Sequence, residues 1–160
     1  MGILETVEKK KKWDNTFMQI AYQFAEHSSC VKRKVGAVLV KDLRVLSTGY
    51  NGTPIGFCNC NEVFKNINLK EGELPNGLKI THHDFAERFE IHAEQNCLSF
   101  AAKNGVSTKD CDLYVTTAPC VNCAKIIIAS GIKNVIYGEI YKNNFGIRLL
   151  KIAGINCKQI

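Results

Sequence analysis

Between Asp112 and Gly138 the sequence lays out a strand, a helix and a second strand, and that order constrains the fold more than any other feature. Asp112 to Thr117 alternates as a strand, Ala118-Pro119 turns the chain, and about Cys120 to Ser130 reads as a helix closed by Gly131. Asn134 to Gly138 is a strand again. A strand that rejoins its sheet through a helix runs parallel to the first, with the helix laid over one face. Upstream, Val35-Gly36-Ala37-Val38-Leu39-Val40 is a continuous apolar run, typical of a strand covered on both faces. After a tight Lys41-Asp42 connection, Leu43 to Thr48 supplies its neighbour. Residues 15–29 place Phe17, Ile20, Ala21, Phe24 and Ala25 on one face of a helix, with Asp14 or Asn15 as its cap. A further helix is expected from near Ile91 to Asn104, ending at Gly105, and a last one from Phe145 to Ala153, ending at Gly154. Ile155 to Ile160 adds an edge strand. Gly49 to Pro54 is a loop by composition, and 55–82, with Gly56, Gly72, Pro75 and Gly77, reads as ordered loop with one helical turn at most. The sum is an α/β layered domain on a mixed sheet.

A chain of 160 residues suits one domain, and we divide it into a basic N-terminal arm, 1–12, and a single domain, 13–160. Hydrophobic residues at 46% and charged residues at 22% exclude a disordered or collagen-like chain. No apolar run approaches the length of a membrane span. The start, Met1-Gly2-Ile3-Leu4-Glu5, lacks the pattern of a secretory signal, so a cytoplasmic, reducing setting is expected. There the eight cysteines read as metal ligands or redox groups rather than disulfides. The net charge of +6 suits an anionic substrate, and the block Lys9 to Lys12 reads as a solvated arm.

Two short segments carry chemistry. His92-Ala93-Glu94 opens one helix and Pro119-Cys120-Val121-Asn122-Cys123 opens another. Residues three apart share a helix face, so Cys120 and Cys123 can point at one ion, and a helix N-terminus favours their thiolates. His92 completes a Cys2His set, the donor set of a catalytic zinc with one position left for water. Residues two apart diverge on a continuing helix, so His92 and Glu94 can meet at one ion only at a helix end, where Glu94 would lie beside the bound water without binding the ion and could take its proton and pass it on. A redox pair at Cys120/Cys123, a purely structural zinc site and a core histidine at position 92 are the competing readings. The full pattern, His-x-Glu followed by Pro-Cys-x-x-Cys, matches that of zinc nucleobase deaminases.

The likeness extends well past these motifs. Arg33 to Val38, the loop Gly49-Tyr50-Asn51-Gly52-Thr53-Pro54, Glu90 to Asn96, Tyr114 to Cys123 and Gly131 to Gly138 resemble the deoxycytidylate (dCMP) deaminases of bacterial and phage type, in order and over most of 13–160. That resemblance implies a cytidine-deaminase-like α/β/α sandwich with a mixed central sheet of about five strands. It implies Zn²⁺-dependent hydrolysis of dCMP to dUMP and ammonia, supplying dUMP for dTMP synthesis. His92, Cys120 and Cys123 would hold zinc, and Glu94 would be the catalytic proton carrier. Asn51 would bond the sugar, and the Ala118 carbonyl the cytosine amino group. Arg33 and Tyr141, with Lys142 nearby, would meet the 5′-phosphate. Phe100, two turns after His92, flanks the active or a regulatory site or else packs in the core. The family also implies activation by dCTP with Mg²⁺, inhibition by dTTP, and a homo-oligomer, a hexamer being favoured.

Some phage members of the resembled family carry a second, structural zinc. Here its ligands would be Cys30, Cys60 and one of His82 and His83, with Cys58 or the other histidine as fourth. Buried free thiols and surface imidazoles are the plain alternative for these residues. Cys97, Cys111 and Cys157 look like small core residues. Two other functions stay open at this point: a deaminase acting on tRNA adenosine, which the basic charge would suit, and a non-catalytic zinc module. The long 55–91 segment and the loop from Gly49 to Pro54 speak against the first, so a nucleic-acid partner is disfavoured, and Glu94 speaks against the second.

Overall fold

A computed structural model describes residues 3–65, 70–140 and 143–160. Five strands form one sheet: β1 (Gly36–Lys41), β2 (Arg44–Tyr50), β5 (Asp112–Thr117), β6 (Asn134–Glu139) and β7 (Asn156–Gln159), in the order β2-β1-β5-β6-β7. β1 runs antiparallel to both β2 and β5, while β5, β6 and β7 are mutually parallel. The parallel half is the strand–helix–strand crossover read from the sequence, with α5 (Val121–Ala129) linking β5 to β6 and α6 (Phe145–Ile152) linking β6 to β7. Gly105, Gly131 and Gly154 take positive φ at the ends of their helices, as their caps require.

Strand alternation divides the core between two layers. Leu39, Leu113, Val115 and Val135 face α4 (Ala93–Lys103), α5 and α6, meeting Ala93, Cys97, Leu98, Ile127 and Leu150. Val38, Val40, Tyr114 and Ile136 face α1 (Ile3–Ala25), meeting Phe17, Met18 and Ala21. Helices therefore cover both faces, the α/β/α arrangement that buried parallel strands demand.

Several local expectations change. α1 begins at Ile3, not near residue 15, so Lys9 to Lys12 lie on its exposed turns. Lysine is a good helix former, and a polar stretch carries no apolar periodicity from which to read a start. Asp14 is accordingly no cap. It sits inside α1, 1% exposed, accepting from Tyr114 Oη at 2.9 Å and pairing with Lys158 Nζ at 2.7 Å and Lys10 Nζ at 3.1 Å. Burial alone would raise its pKa, but these three donors outweigh it and hold the carboxyl below its usual value. Replacing Asp14 by Asn is expected to cost about 1–2 kcal/mol at pH 7, since a charge-assisted network becomes neutral. A lowered folded pKa stabilises fully above the unfolded value near ~3.9 and loses that stabilisation as pH falls through the folded one. Denaturant titrations should therefore show the gap between wild type and variant shrinking below about pH 4. A gap independent of pH would remove the carboxylate charge from the network.

The β1–β2 turn is Asp42-Leu43, both at positive φ, one residue later than expected. The described residues of 55–89 carry more secondary structure than the ordered loop expected there. α2 (Cys60–Val63) is followed by a hairpin of β3 (Glu71–Glu73) with β4 (Lys79–Thr81), and then by α3 (His82–Phe89). Thr81 caps α3, its hydroxyl oxygen accepting from Asp84 N at 3.1 Å. This segment has its own small core of Val63, Phe64, Leu74, Ile80 and Phe85.

Candidate metal centre and active site

Two helix N-termini meet at the end of the sheet where the parallel strands finish. Cys120 is the N-cap of α5, extended at φ −71 and ψ 171, and its sulfur accepts from Cys123 N at 3.5 Å. His92 is the N-cap of α4, extended at φ −68 and ψ 156, with its own N–H donated to Gln95 Oε1 at 3.0 Å. Two ties hold these turns. Ala118 N donates to the Glu139 carbonyl at 2.7 Å, and Gly52 and Ile91 exchange backbone bonds of 3.1 and 2.8 Å. His92 Nδ1 then lies 3.6 Å from Cys120 Sγ and 3.4 Å from Cys123 Sγ.

Glu94 occupies the first turn of α4, 4% exposed, and stands outside that three-atom set. Burial pushes its pKa up, and the Cys123 thiol lies alongside it. Cys120 is held down to about 3, foremost by a hydrogen bond from Cys123 and, against the cost of burial, by His92. His92 is raised to about 9, chiefly by its bond to Cys120. Cys123 is pushed up, first by Cys120 and then by burial. Two cysteine sulfurs and a histidine ring nitrogen converging at two helix N-termini form a donor set that fits zinc.

The sequence of this chain matches the family model of the cytidine and deoxycytidylate deaminase zinc-binding region over residues 11–139. The chain belongs to that deaminase family. Among the relatives of this deaminase, the deoxycytidylate deaminase of Enterobacteria phage T2 is 39% identical, over 91% of this chain and 95% of that protein. The deoxycytidylate deaminase of Saccharomyces cerevisiae is 34% identical over 99% of this chain, but this chain spans 50% of that longer protein. The crystal structure of the dCMP deaminase of cyanophage S-TIM5 in complex with dCMP and dUMP superposes with a TM-score of 0.75 at 33% identity, covering 93% of this chain and 97% of that one. The five-stranded mixed sheet with helices on both sides is thus the cytidine-deaminase-like fold. Among the described residues no helix is long and apolar enough to cross a membrane.

The remaining sequence-read positions of this deaminase fall as follows. Ala118 lies at the end of β5, next to Pro119-Cys120, while Tyr141 and Lys142 lie outside the described residues. Arg33 reaches toward β6, its guanidinium 3.5 Å from Glu139 Oε2. Asn51 is buried, with Oδ1 accepting from Val35 N at 2.8 Å and Nδ2 donating to the Arg33 carbonyl at 3.0 Å. Its side chain is thus engaged in holding the approach to β1, a task the sequence did not announce. Phe100 is 53% exposed on α4, which excludes the core-packing alternative. Cys97 and Cys111 are buried, and Cys157 is half-buried.

A second cluster joins Cys30, in the loop that follows α1, to α2 and α3. His82 Nε2 lies 3.5 Å from Cys30 Sγ and 3.4 Å from Cys60 Sγ, and a carboxylate oxygen of Glu90 joins them within 4.8 Å. Cys58 and His83, expected as alternatives for the fourth position, stay outside this group. Glu90 was missed as a candidate. The available signal was an acid set between the apolar Phe89 and Ile91. One of its oxygens, Oε1, is buried without a hydrogen-bond partner, and burial raises the carboxyl to about 7. Cys30 is lowered to about 5, foremost by a hydrogen bond from Cys60, whose own thiol is pushed up. Burial lowers His82, keeping the imidazole neutral. An orphaned carboxylate oxygen beside two sulfurs and a neutral imidazole fits a four-ligand structural zinc.

Proposed function

We propose that this deaminase hydrolyses dCMP to dUMP and ammonia, the dUMP supplying dTMP synthesis. The observation that carries the reading is Glu94, a buried carboxyl beside the His92–Cys120–Cys123 donor set and not part of it. His92, Cys120 and Cys123 would hold zinc, which when bound supplies an electrophile that lowers the pKa of water. Glu94 does the proton work. It takes a proton from the water that attacks C4 of cytosine, delivers it to N3, and then helps protonate the departing ammonia. Its burial favours this, because a carboxyl pushed upward gives up a proton as well as it accepts one. The Ala118 carbonyl stands by for the cytosine amino group. Asn51 would meet the sugar, and Arg33 and Tyr141 the 5′-phosphate. The identity to deoxycytidylate deaminases across nearly the whole chain supports the choice of nucleotide.

Cys30, Cys60, His82 and Glu90 hold a second, structural zinc in this reading. Elemental analysis of fully loaded protein is expected to return two zinc ions per chain, and one would end it. An ultraviolet assay with dCMP, cytidine, dCTP and a tRNA hairpin checks the substrate. Turnover of dCMP is expected, whereas deamination of adenosine in the hairpin would move the chain to the nucleic-acid branch of the superfamily. The reading further includes activation by dCTP with Mg²⁺, inhibition by dTTP, and a homo-oligomer, a hexamer being favoured. Exposed apolar side chains on neighbouring helices, Phe100 of α4 with Val121 and Ile126 of α5, support association between copies. A hyperbolic dCMP curve that neither triphosphate alters would argue against the regulation.

A further inference from the structure

Asn51 is the side chain on which one wall of the catalytic site hangs. Its bonds to Val35 N and the Arg33 carbonyl fix the segment leading into β1. Arg33 in turn reaches Glu139, whose carbonyl holds Ala118 N, two residues before Cys120. Asn51 Nδ2 also faces Glu90 Oε2 at 3.5 Å. The other Glu90 oxygen is buried and without a hydrogen-bond partner, and the carboxylate belongs to the cluster of Cys30, Cys60 and His82. One carboxylate therefore touches both the second cluster and the residue that organises the wall. The pairing of Gly52 with Ile91 constrains the backbone between Glu90 and His92, so a movement of Glu90 must be taken up by side chains.

We propose that Glu90 is a positioning residue through which a divalent metal held by Cys30, Cys60, His82 and Glu90 sets nucleotide affinity at the His92–Cys120–Cys123 centre. With the cation in place, one oxygen is committed to it and the other stays on Asn51. Without it, the contact that ties the carboxylate to Asn51 is 3.5 Å, at the weak end of hydrogen bonding. The side chain then rotates off Asn51, and the Arg33–Val35 segment loosens. Glu94 lies in the first turn of α4 and makes none of these contacts, so binding suffers more than the proton transfers do. The proposal rests on the zinc reading of the second cluster and on dCMP as substrate, and its test separates the three.

Wild type, Cys60→Ser and Glu90→Gln are compared by zinc content, by KM and kcat for dCMP, and by hydrogen exchange at the Val35 amide. Cys60→Ser is expected to drop from two zinc ions to one, with KM raised about tenfold, the worth of one positioned hydrogen bond, kcat within about threefold, and faster Val35 exchange. Glu90→Gln keeps an oxygen for Asn51 but is a poorer metal donor, and the same KM rise is expected with kcat preserved. A merely structural role would lower Tm and leave KM in place, which overturns the proposal, as does a wild type holding one zinc. If wild type holds two zinc ions but leaves dCMP untouched, the substrate reading fails. Val35 exchange then decides the coupling: faster in Cys60→Ser supports it, and unchanged refutes it.

Discussion

Replacement of Glu94 by alanine is expected to lower turnover of dCMP by about three orders of magnitude while leaving zinc content unchanged. The carboxyl lies outside the three donor atoms, so its loss takes no ligand from the ion. It is 4% exposed, so bulk water cannot readily substitute for it as a proton carrier. Three proton movements in the proposed reaction pass through this one side chain, and each becomes difficult without it. Glu94→Gln is the stricter companion. It keeps volume and polarity in a buried position, so packing is preserved and only the titratable proton is lost. Steady-state kinetics with parallel metal analysis reads both. A glutamine variant with full zinc and near-normal kcat would remove Glu94 from the mechanism.

The second large effect is expected at Gly146, at the start of α6. A Cβ there would lie 1.9 Å from the Pro119 carbonyl oxygen and 2.9 Å from the Cys120 carbonyl carbon and oxygen. These are backbone atoms of the turn that carries Cys120, so no side chain can swing aside. Gly146→Ala must push α6 away from the turn or displace the turn itself. The expected cost is about 3 kcal/mol or more, a fall in Tm of about 6–12 °C for a domain of this size. Displacement of Cys120 should also weaken zinc retention at the catalytic centre. Gly154→Ala is the matched control. It meets open space, and its cost comes only from φ +83, expected near 1 kcal/mol with zinc unaffected. Thermal melts with metal analysis test the pair. A Gly146→Ala protein with wild-type Tm and full zinc would show that α6 does not rest on the Cys120 turn.

The crossover β5–α5–β6 and the closing glycines were legible because their signals are local. Residues 112–117 and 134–139 pair as read, and Cys120 and Cys123 share a helical turn by spacing alone. Other elements carried weaker or misleading signals. The lysine block hid the true start of α1, since a turn made of four lysines carries no apolar stripe. Asp14 looked like a cap because acids next to an apolar run usually are, and besides Lys10 of its own helix its actual partners come from β5 and β7. β3 and β4 have three residues each, too short for an alternation to register.

His-x-Glu, Pro-Cys-x-x-Cys and the chain order of the five strands of the main sheet were determined by sequence alone, because each depends on residues within one or two turns of one another. Tertiary structure alone decided that Glu90, rather than Cys58 or His83, completes the second cluster, and that Asn51 is engaged with Arg33, Val35 and Glu90. Those contacts join positions 30, 51, 60, 82 and 90 through loops whose closure depends on the whole fold. No periodicity within a segment encodes which distant side chain arrives.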